Sequence, residues 1–541
     1  MNALHDPEVT NSRVEDRVRE LADASPDHLA VVGTRSRCTY RELDRAVDHA
    51  TTDFARRGVG PGTRVAWLGR NDIAYVVTAL AVRRRGACLA GLNWRDQPGD
   101  LRRACELVDP MLLVADVSSS AAAAQLGGSV RQIVIANGDD LPWQEVNPDP
   151  CDVLSARDED DCLLYFTSGA TGRPKAVLHS YGRVNDALES TMLPGFDAAA
   201  VMLIIPPVFH VAGAVWASQS LLAGATMVFT DGDSTILELI GSAGVTHALM
   251  VPTLIQMVLD EQDQSGRATP SLQLVAYGTS PITSSLLTRA MARLGCSFTQ
   301  MYGSTEAGGV ITGLPIADHV IDGPRSSRLR SAGRPMPGVA VKVVDPASGA
   351  DLETGEIGEL VVRTPWVMQG YWHDKEATDL VMDEEGWLHT HDAAHLDVDG
   401  YVYISGRLDD VIISGGENVH PGEVEEVLAT LPGVADASLV GILDRHWGEM
   451  VAAAVVANGD QLLTEQQVID YCRERLAGYK CPRRVVFVDE LPRNATGKVI
   501  RGRVRDSMMA SVDAGGCGTA ASAVSSRDAK SRHGSRDLSA G

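Results

Sequence analysis

The chain has 541 residues, of which 44% are hydrophobic and 22% are charged, so two or more domains with buried cores are expected. Its 48 Lys and Arg against 71 Asp and Glu give a formal net charge of −23. That charge argues against nucleic acid or an anionic membrane as the main partner. The 9 cysteines include no CxxC pair, so we expect neither a zinc site nor a disulfide framework, and a cytoplasmic location is predicted. No signal peptide is expected either.

Short apolar runs separated by helical stretches dominate the first part of the chain. Continuous apolarity is typical of strands that are buried on both faces of an α/β sheet. Such runs occur at residues 65–68, 111–114, 132–135 and 202–205. The sequence therefore predicts an α/β fold, with a large N-terminal domain of mixed α/β layers.

The segment 201–229 is apolar enough to suggest a membrane span. Two prolines at 206 and 207, His210 and Gln219 interrupt it, and these groups would be costly in lipid. It is predicted to form a strand, a turn, a helix and a second strand, so no transmembrane segment is expected.

The pattern changes towards the C-terminus. Polar and apolar residues alternate at 339–344 and 358–363, which predicts a β-rich subdomain at about residues 335–405 of an N-terminal domain 1–405. Residues 406–510 have the length of a small, independent αβ domain. Residues 511–541 contain Ala, Gly and Ser with hardly any large apolar residue, and this tail is predicted to be disordered.

A loop after the apolar residues 164–166 carries the strongest chemical signal. It reads Thr167-Ser168-Gly169-Ala170-Thr171-Gly172-Arg173-Pro174-Lys175. Successive N–H groups, hydroxyls and a lysine can hold polyphosphate, and glycine lets the backbone approach it. The spacing matches neither a Walker loop nor a dinucleotide turn, and an ordinary surface loop is the alternative for this stretch alone.

Six motifs in order across residues 15–505 resemble those of the adenylate-forming superfamily. This superfamily comprises acyl-CoA synthetases, aryl-CoA ligases, peptide-synthetase adenylation domains and luciferases, and the motifs are most similar in style to stand-alone acyl-CoA ligases. Besides the phosphate loop, they are Pro207-Val208-Phe209-His210-Val211-Ala212-Gly213, Gln300-Met301-Tyr302-Gly303-Ser304-Thr305-Glu306, Gly386-Trp387-Leu388-His389-Thr390-His391-Asp392, Gly406-Arg407-Leu408-Asp409-Asp410 and Pro492-Arg493-Asn494-Ala495-Thr496-Gly497-Lys498.

The resemblance implies a set of nucleotide-binding residues. Tyr302 is expected to pack on adenine, Asp392 to grip the ribose hydroxyls, and Glu306 to ligate Mg²⁺ that bridges the phosphates. The predicted ATP and AMP contacts are Thr167, Ser168, Gly169, Thr171, Gly172, Lys175, Gly278, Thr279, Ser280, Gln300, Tyr302, Gly303, Thr305, Asp392, Arg407 and Lys498.

The resemblance also implies two reaction steps and a mobile second domain. Lys498 would bridge the carboxylate and the α-phosphate during adenylation, and rotation at a hinge near Asp409 would then withdraw it. Catalytic roles are expected for Lys498, Glu306, Thr167 and His210. The acyl pocket would include His210, Val211, Tyr277, Gly278 and Gly303, and the thiol path Gly415, Gly416 and Trp447.

Several departures from the family pattern bear on specificity. His391 precedes Asp392 where glycine is usual, and Tyr277-Gly278-Thr279-Ser280 replaces a Gly-Gly-Ala run. Cys481 stands where some aryl-CoA ligases have an arginine that touches CoA.

The expected function is ATP- and Mg²⁺-dependent formation of an acyl-AMP from a carboxylic acid, followed by transfer to CoA. A fatty acid is favoured over an aromatic acid, because residues 211–213 are small and apolar. The alternatives are a ligase that loads the phosphopantetheine of a separate carrier protein and, more distantly, a luciferase-like oxygenase. A homodimer is a further expectation.

Overall fold

The computed structural model describes residues 12–33, 36–136, 143, 154, 156–168, 174–193, 195–230, 234–458, 463–494 and 497–514. Within these residues the protein has a large first domain of mixed α and β layers and a small second domain, as the sequence predicts. The helices are α1 (Val14–Ala24), α2 (Tyr40–Arg56), α3 (Ile73–Arg84), α4 (Pro98–Val108), α5 (Ser120–Gln125), α6 (Tyr181–Ser190), α7 (Val211–Ala223), α8 (Ile236–Ala243), α9 (Pro252–Ser265), α10 (Ser284–Leu294), α11 (Lys375–Asp379), α12 (Pro421–Ala429), α13 (Glu465–Arg473) and α14 (Arg501–Ala514).

Strands form the framework of both domains. The strands of the first domain are β1 (Leu29–Val32), β2 (Arg37–Thr39), β3 (Arg64–Leu68), β4 (Cys88–Leu92), β5 (Leu112–Asp116), β6 (Ile133–Ala136), β7 (Asp161–Ser168), β8 (Pro174–Ser180), β9 (Val201–Ile204), β10 (Thr226–Phe229), β11 (His247–Met250), β12 (Leu274–Gly278), β13 (Ser297–Ser304), β14 (Gly309–Leu314), β15 (Arg334–Pro335), β16 (Ala340–Val344), β17 (Gly358–Arg363), β18 (Gly370–Tyr371), β19 (Leu388–Leu396) and β20 (Val402–Arg407). Those of the second domain are β21 (Ile412–Ser414), β22 (Glu417–Val419), β23 (Val434–Asp444), β24 (Gly448–Ala457) and β25 (Arg484–Val488).

Two large sheets with parallel centres form the core of the first domain. Among the described residues, one has the strand order β18-β8-β7-β4-β3-β5-β6 and the other β15-β14-β13-β12-β11-β9-β10-β1-β2. Every residue of β4 and β5 is buried, which is the environment that continuous apolar runs predict. The runs at 65–68, 111–114, 132–135 and 202–205 correspond to β3, β5, β6 and β9, and these predictions are confirmed.

The apolar segment 201–229 folds as the sequence predicts. It forms β9, α7 and β10, and β9 and β10 pair in parallel. Helix α7 ends at Gly224, whose φ of +74° is readily adopted by glycine. In the part of the chain that the structure describes, no helix is both long and apolar enough to cross a membrane.

The alternating segments form an antiparallel sheet in the order β16-β17-β19-β20. Strands β16 and β17 are the two that the alternation predicts. Leu360 and Val362 of β17 pack in one core, and Val361 packs with Trp387 on the other face, so β17 is buried on both sides. Strands β19 and β20 then carry residues 392 and 407 side by side.

The second domain packs helices α12, α13 and α14 on a sheet of β21 to β25. Helix α14 continues to Ala514, which lies within the segment 511–541 that is predicted as a tail, and residues 515–541 lie outside the described part. Val504 and Met508 lie buried on the sheet, and this apolar face explains why the helix passes residue 510.

The two domains contact each other close to the motifs at residues 406–410 and 492–498. A Cβ at Gly497 would lie 3.2 Å from Thr253 Oγ1, so the turn that precedes Lys498 rests on the start of α9. Arg330 and Glu426 also approach to 3.5 Å across the boundary. Lys498 therefore faces the first domain.

Candidate active site

The phosphate loop lies at the turn between antiparallel strands β7 and β8. Thr167 and Lys175 are register partners, so both side chains lie at the mouth of this hairpin. Gly169, Thr171 and Gly172 lie outside the described residues, and Ser168 is described by its backbone alone. The hairpin thus brings together a hydroxyl and a lysine, as the loop chemistry predicts.

Lys175 is connected to Glu306 through Tyr371, a residue that the sequence analysis missed. The Lys175 Nζ lies 4.6 Å from the centroid of the Tyr371 ring, and the Tyr371 hydroxyl donates to Glu306 Oε1 at 3.0 Å. Burial, and then the charge of Glu306, raise the pKa of Tyr371, so this hydroxyl stays protonated as a donor. Only the pairing of β18 with β8 brings Tyr371 here, and no local sequence signal indicates it.

Glu306 fits a magnesium ion that is shared with phosphate. The described residues contain no group of three or more His, Cys, Asp or Glu side chains that could hold a metal by themselves. Magnesium in nucleotide enzymes usually takes one or two carboxylates, with water and substrate phosphate as the other ligands. A single carboxylate beside Lys175 matches that chemistry better than a metal cage does.

Asp392 is the centre of a second cluster on strands β13, β19 and β20. Its carboxylate accepts a 2.5 Å hydrogen bond from the Tyr302 hydroxyl and lies 3.4 Å from Arg407 Nη1. Burial, and then the negative charge of Asp392, raise the pKa of Tyr302 well above its usual value. Asp392, Tyr302 and Arg407 are therefore brought together as the resemblance implies.

The predicted adenine side of the site contains two glycines, Gly278 and Gly303, at which a side chain would not fit. A Cβ at Gly278 would lie 2.0 Å from Met301 O, and one at Gly303 would lie 1.9 Å from Gly309 O. Thr279 has a φ of +63°, so the chain turns sharply just after β12. Gln300 Oε1 is buried and has no hydrogen-bond partner among the described residues. Such an orphaned acceptor suits the amino group of a nucleobase.

Ser280 follows strand β12 and Thr305 follows strand β13. Both lie at the ends of the strands where a nucleotide would bind. Ser280 is half-buried beyond β12. Thr305 is only 7% exposed, and its carbonyl oxygen lies 2.9 Å from His179 Nε2. The contact with the buried His179 therefore fixes the backbone that leads into Glu306.

His391 occupies a backbone conformation that explains the usual glycine at this position. Its φ is +56°, in the left-handed region that few side chains adopt without strain. The buried carboxylate of Glu359 accepts the His391 backbone N–H at 3.0 Å and lies 2.9 Å from His389 Nδ1. Glu359 therefore braces the turn that aims Asp392, and sequence analysis did not identify it.

His210 stands at the N-terminus of α7, beside the Phe209 ring at 5.5 Å. Burial, and then the positive charge of Arg95, lower the pKa of His210, so its imidazole is neutral near pH 7. Val211 is half-buried at the start of the same helix. A Cβ at Gly213 would lie 2.3 Å from Pro207 O, so this helix start requires glycine.

The side chain of Tyr277, which is predicted to line the acyl pocket, packs on a different face of the sheet from helix α7. Tyr277 is fully buried and packs with Leu287 and Phe298, and its hydroxyl lies 3.0 Å from His319 Nε2. Consecutive residues of a strand point to opposite faces, and this register directs Tyr277 to the face covered by α8, α9 and α10. Helix α7, which carries Val211, packs on the other face.

Lys498 extends from the second domain towards Asp392 and Arg407. Its surroundings from both domains remove water and lower its pKa, while the charge of Asp392 opposes this effect and that of Arg407 adds to it. The side chain nevertheless keeps solvent contact, as expected at the mouth of a cleft. The structure therefore brings the C-terminal lysine to the predicted ribose cluster.

Two residues of the predicted thiol path, Gly415 and Trp447, contact each other in the second domain. Gly415 donates its N–H to Trp447 O at 2.8 Å, and a Cβ at Gly415 would lie 3.1 Å from the Trp447 ring. The guanidinium of Arg483 lies 3.7 Å from the centroid of that ring. Gly415 and Gly416 are exposed, and these contacts of Gly415 and Trp447 lie within the second domain.

Known proteins show the same organisation. Residues 18–372 match the AMP-binding enzyme family, and residues 423–498 match the AMP-binding enzyme C-terminal domain. The chain is 35% identical over 520 residues to the fatty acid–[acyl-carrier-protein] ligase ScoC of Streptomyces coeruleorubidus, covering 94% of this chain and 98% of that protein. It is 34% identical over 491 residues to the feruloyl-CoA synthase of an Amycolatopsis species, covering 90% and 96%.

Solved structures of other proteins show the same organisation. ATP-bound MatB from Rhodopseudomonas palustris superimposes with a TM-score of 0.81 at 28% identity, covering 91% of this chain and 98% of MatB. The complex of Bacillus subtilis o-succinylbenzoate CoA synthetase with its acyl-adenylate intermediate gives a TM-score of 0.77 at 28% identity, covering 91% and 98%.

Glu306→Gln should reduce acyl-AMP formation about 10²–10³-fold, because the ion loses a charged oxygen ligand at the reacting phosphates. Pyrophosphate release at ordinary and raised Mg²⁺ measures this, and raised Mg²⁺ should restore part of the rate. Tyr371→Phe is the matched control, since it removes only the hydroxyl that bonds Glu306. Full activity of Glu306→Gln at ordinary Mg²⁺ would contradict the metal role.

Glu359→Gln should raise the KM for ATP about 10-fold, because one of two hydrogen bonds to a buried carboxylate is lost and Asp392 is less well aimed. Adding His391→Gly should restore the KM, since glycine adopts the left-handed conformation without the brace. Steady-state kinetics with melting temperature as control test this. A double variant as poor as Glu359→Gln alone would refute the positioning role.

Proposed function

Since the chain belongs to the AMP-binding enzyme family, we propose that its acid substrate is a fatty acid and its thiol acceptor is CoA. The activity is that of an AMP-forming acid–thiol ligase, which uses ATP, Mg²⁺ and the thiol of CoA or of a phosphopantetheine. The observation that supports adenylation is that the charge of Asp392 reaches Lys498 and acts on its pKa, although the two residues belong to different domains.

In the first step the substrate carboxylate attacks the α-phosphorus of ATP, an acyl-AMP forms and pyrophosphate leaves. Two anions must be held together while charge grows on the phosphate oxygens. Lys175 and Thr167 would hold the terminal phosphates, and bound Mg²⁺ at Glu306 would neutralise their charge. The ammonium of Lys498, directed at the ribose cluster, would stabilise the charge that develops on the α-phosphate.

In the second step the thiol attacks the acyl carbon, a thioester forms and AMP leaves with the electron pair of the acyl–oxygen bond. The exposed Gly415 and Gly416 support a role in the pantetheine path, because their backbone offers a surface free of side chains. Both lie on the second domain, so that domain would rotate between the steps.

The segment between the domains has the form expected of a hinge. Asp409 lies in a single 3-10 turn, Leu408–Asp410, between β20 and β21, and its side chain is exposed. A few backbone torsions at such a junction can turn a whole domain. The hydrogen bond from Arg501 to Asp410 and its bonds to Glu425 would then tie the turn to the rotating domain.

Two observations support a fatty acid. Helix α7 begins with small and apolar residues at 211–213, and the neutral His210 beside them adds no fixed charge to the entrance. A relative of 35% identity is named as a fatty acid ligase. An aromatic acid is the competing substrate, since another relative is a feruloyl-CoA synthase.

The second candidate acceptor is the phosphopantetheine of a carrier protein, as in the name of ScoC. The environment of Cys481 bears on the choice between CoA and a carrier protein as the acceptor. Its thiol is buried against Ala477 O at 3.5 Å and offers no charge to a nucleotide phosphate at this position. Cytoplasmic location and homodimer formation stay predictions.

Lys498→Ala should lower the rate of acyl-AMP formation about 10²–10³-fold, because it removes a charge directed at the transition state. Transfer from chemically supplied acyl-AMP to the thiol should change little, since the rotated domain carries Lys498 away. Both half-reactions are measured on the same purified variant, with melting temperature as the control. Transfer that falls as far as adenylation would overturn the two-orientation mechanism.

With a fatty acid and ATP, acyl-CoA should accumulate at CoA concentrations of about 1 μM to 1 mM, the ordinary range of KM values. Chromatography of the products from CoA and from a phosphopantetheinylated carrier protein, each as sole acceptor, measures the preference. Acyl-AMP that accumulates with CoA but disappears with the carrier protein would establish the second candidate instead.

A further inference from the structure

A small cavity lies between the hairpin β7–β8 and the helices α6 and α7. Val211, which is predicted to line the acyl pocket, forms part of its wall. Gly308, which follows Glu306 closely in the chain, forms another part. The cavity therefore adjoins the predicted acyl pocket. Because the reacting carboxylate must lie at the phosphates, the part of the acid that enters this cavity is remote from that carboxylate.

Much of the cavity wall is apolar. Leu163 of β7, Val184 of α6 and Val215 of α7 contribute hydrocarbon side chains to it. A hydrocarbon chain can lie against such a wall without loss of hydrogen bonds, whereas a polar group there needs a partner. The polar side chains of the lining therefore decide which chain ends are accepted.

Tyr165 of β7 brings an unused hydroxyl to the cavity lining. It is only 4% exposed, and its hydroxyl is buried with no hydrogen-bond partner among the described residues. Burial raises the pKa of Tyr165 well above its usual value, so the hydroxyl keeps its proton. Buried polar groups are nearly always hydrogen-bonded in folded proteins, so this hydroxyl is suited to a ligand that accepts its proton.

Arg183 of α6 brings a positive charge to the same lining. It is half-buried, and its Nη1 donates to Val367 O at 2.7 Å. Burial lowers the pKa of Arg183, and no acidic side chain in the described part of the chain offsets this effect. A guanidinium has further N–H donors, and a half-buried cation without a carboxylate beside it favours an oxygen acceptor, best a charged one.

His179 of β8 is the remaining polar side chain among the described residues of the lining, and it adds no charge. Burial lowers its pKa to about 4, so the imidazole is neutral near pH 7. Its Nε2 lies 2.9 Å from Thr305 O and is already in use. The charge of the cavity lining is therefore that of Arg183.

We propose that the acid substrate carries an oxygen acceptor at the far end of its chain, and that Tyr165 and Arg183 bind this acceptor in the cavity. The inference rests on the proposed fatty acid and narrows it to a subclass. A second carboxylate or a ketone oxygen fits, because each accepts from O–H and N–H donors. A plain fatty acid would place hydrocarbon against both donors, and a site built to bond an oxygen discriminates against an analogue that lacks it.

The test measures pyrophosphate release with three sets of acids of matched length. These are adipic, azelaic and dodecanedioic acids, the corresponding monocarboxylic acids, and the methyl ketone acids of the same lengths. For at least one length, the wild type should have a kcat/KM about 10-fold or more above that for the monocarboxylic acid. Preference for the dicarboxylic acid would identify the acceptor as a carboxylate, and preference for the keto acid would identify it as a carbonyl.

Two variants assign the preference to the proposed residues. Arg183→Gln keeps an N–H for Val367 O and removes the charge, so the ratio of kcat/KM for the preferred acid over the monocarboxylic acid should fall roughly 10- to 100-fold. Tyr165→Phe removes only the hydroxyl, and the same ratio should fall about 3- to 10-fold. Arg102→Gln is the matched control, since Arg102 is an exposed arginine of α4 that also donates to a backbone carbonyl, and it should keep the wild-type ratio.

Equal losses with both kinds of acid would show that Arg183 only supports the backbone at Val367 and would overturn the proposal. A wild type that uses monocarboxylic acids as well as the others at every length would also refute it, while the proposed fatty acid substrate would stand. A wild type that activates aromatic acids and none of these chains would refute the proposed substrate itself and, with it, this inference. Melting temperatures of all variants serve as the control for folding.

Discussion

The carboxylate of Asp392 is the charge around which the candidate site is arranged. It accepts a hydrogen bond from the hydroxyl of Tyr302 and faces Arg407 on the neighbouring strand. Its charge also acts on the pKa of Lys498, which belongs to the second domain. These contacts come from three separate strands and a distant turn. Because Lys498 faces the same group, the domain orientation and the geometry of the ribose cluster depend on each other.

The precision of this arrangement comes from backbone that tolerates little change. The close approach of β12 to β13 excludes a Cβ at Gly278 and the approach of β13 to β14 excludes one at Gly303, so the nucleotide side is fixed by main chain rather than by mobile side chains. The backbone at His391 is held in a different way from the backbone at these glycines. A residue with a side chain adopts a left-handed conformation, and the buried carboxylate of Glu359 holds its N–H. Asp392 is thereby aimed without the usual glycine.

Charge is distributed unevenly in this acidic protein. The formal net charge is −23, yet Lys175 lies at the mouth of the phosphate-loop hairpin and Lys498 faces Asp392 and Arg407 from the second domain. A local positive region inside a negative envelope suits an enzyme whose substrates are all anions. The lowered pKa of His210 fits the same picture, because a neutral imidazole can stand beside Arg95 without a second repulsive charge.

Apolar periodicity and contiguous motifs are local properties of the chain, so they were enough to predict the α/β class, the buried strands β3, β5, β6 and β9, and the family. The sequence also indicated Lys175, Glu306, Asp392 and Lys498 through their motifs. Three further relations became visible in the folded chain: Tyr371 joins Lys175 to Glu306, Glu359 braces His391, and the side chain of Tyr277 faces away from α7. Those relations depend on strand pairing and register between distant segments, and a shift of one residue in register reverses every side chain, so no local pattern could reveal them.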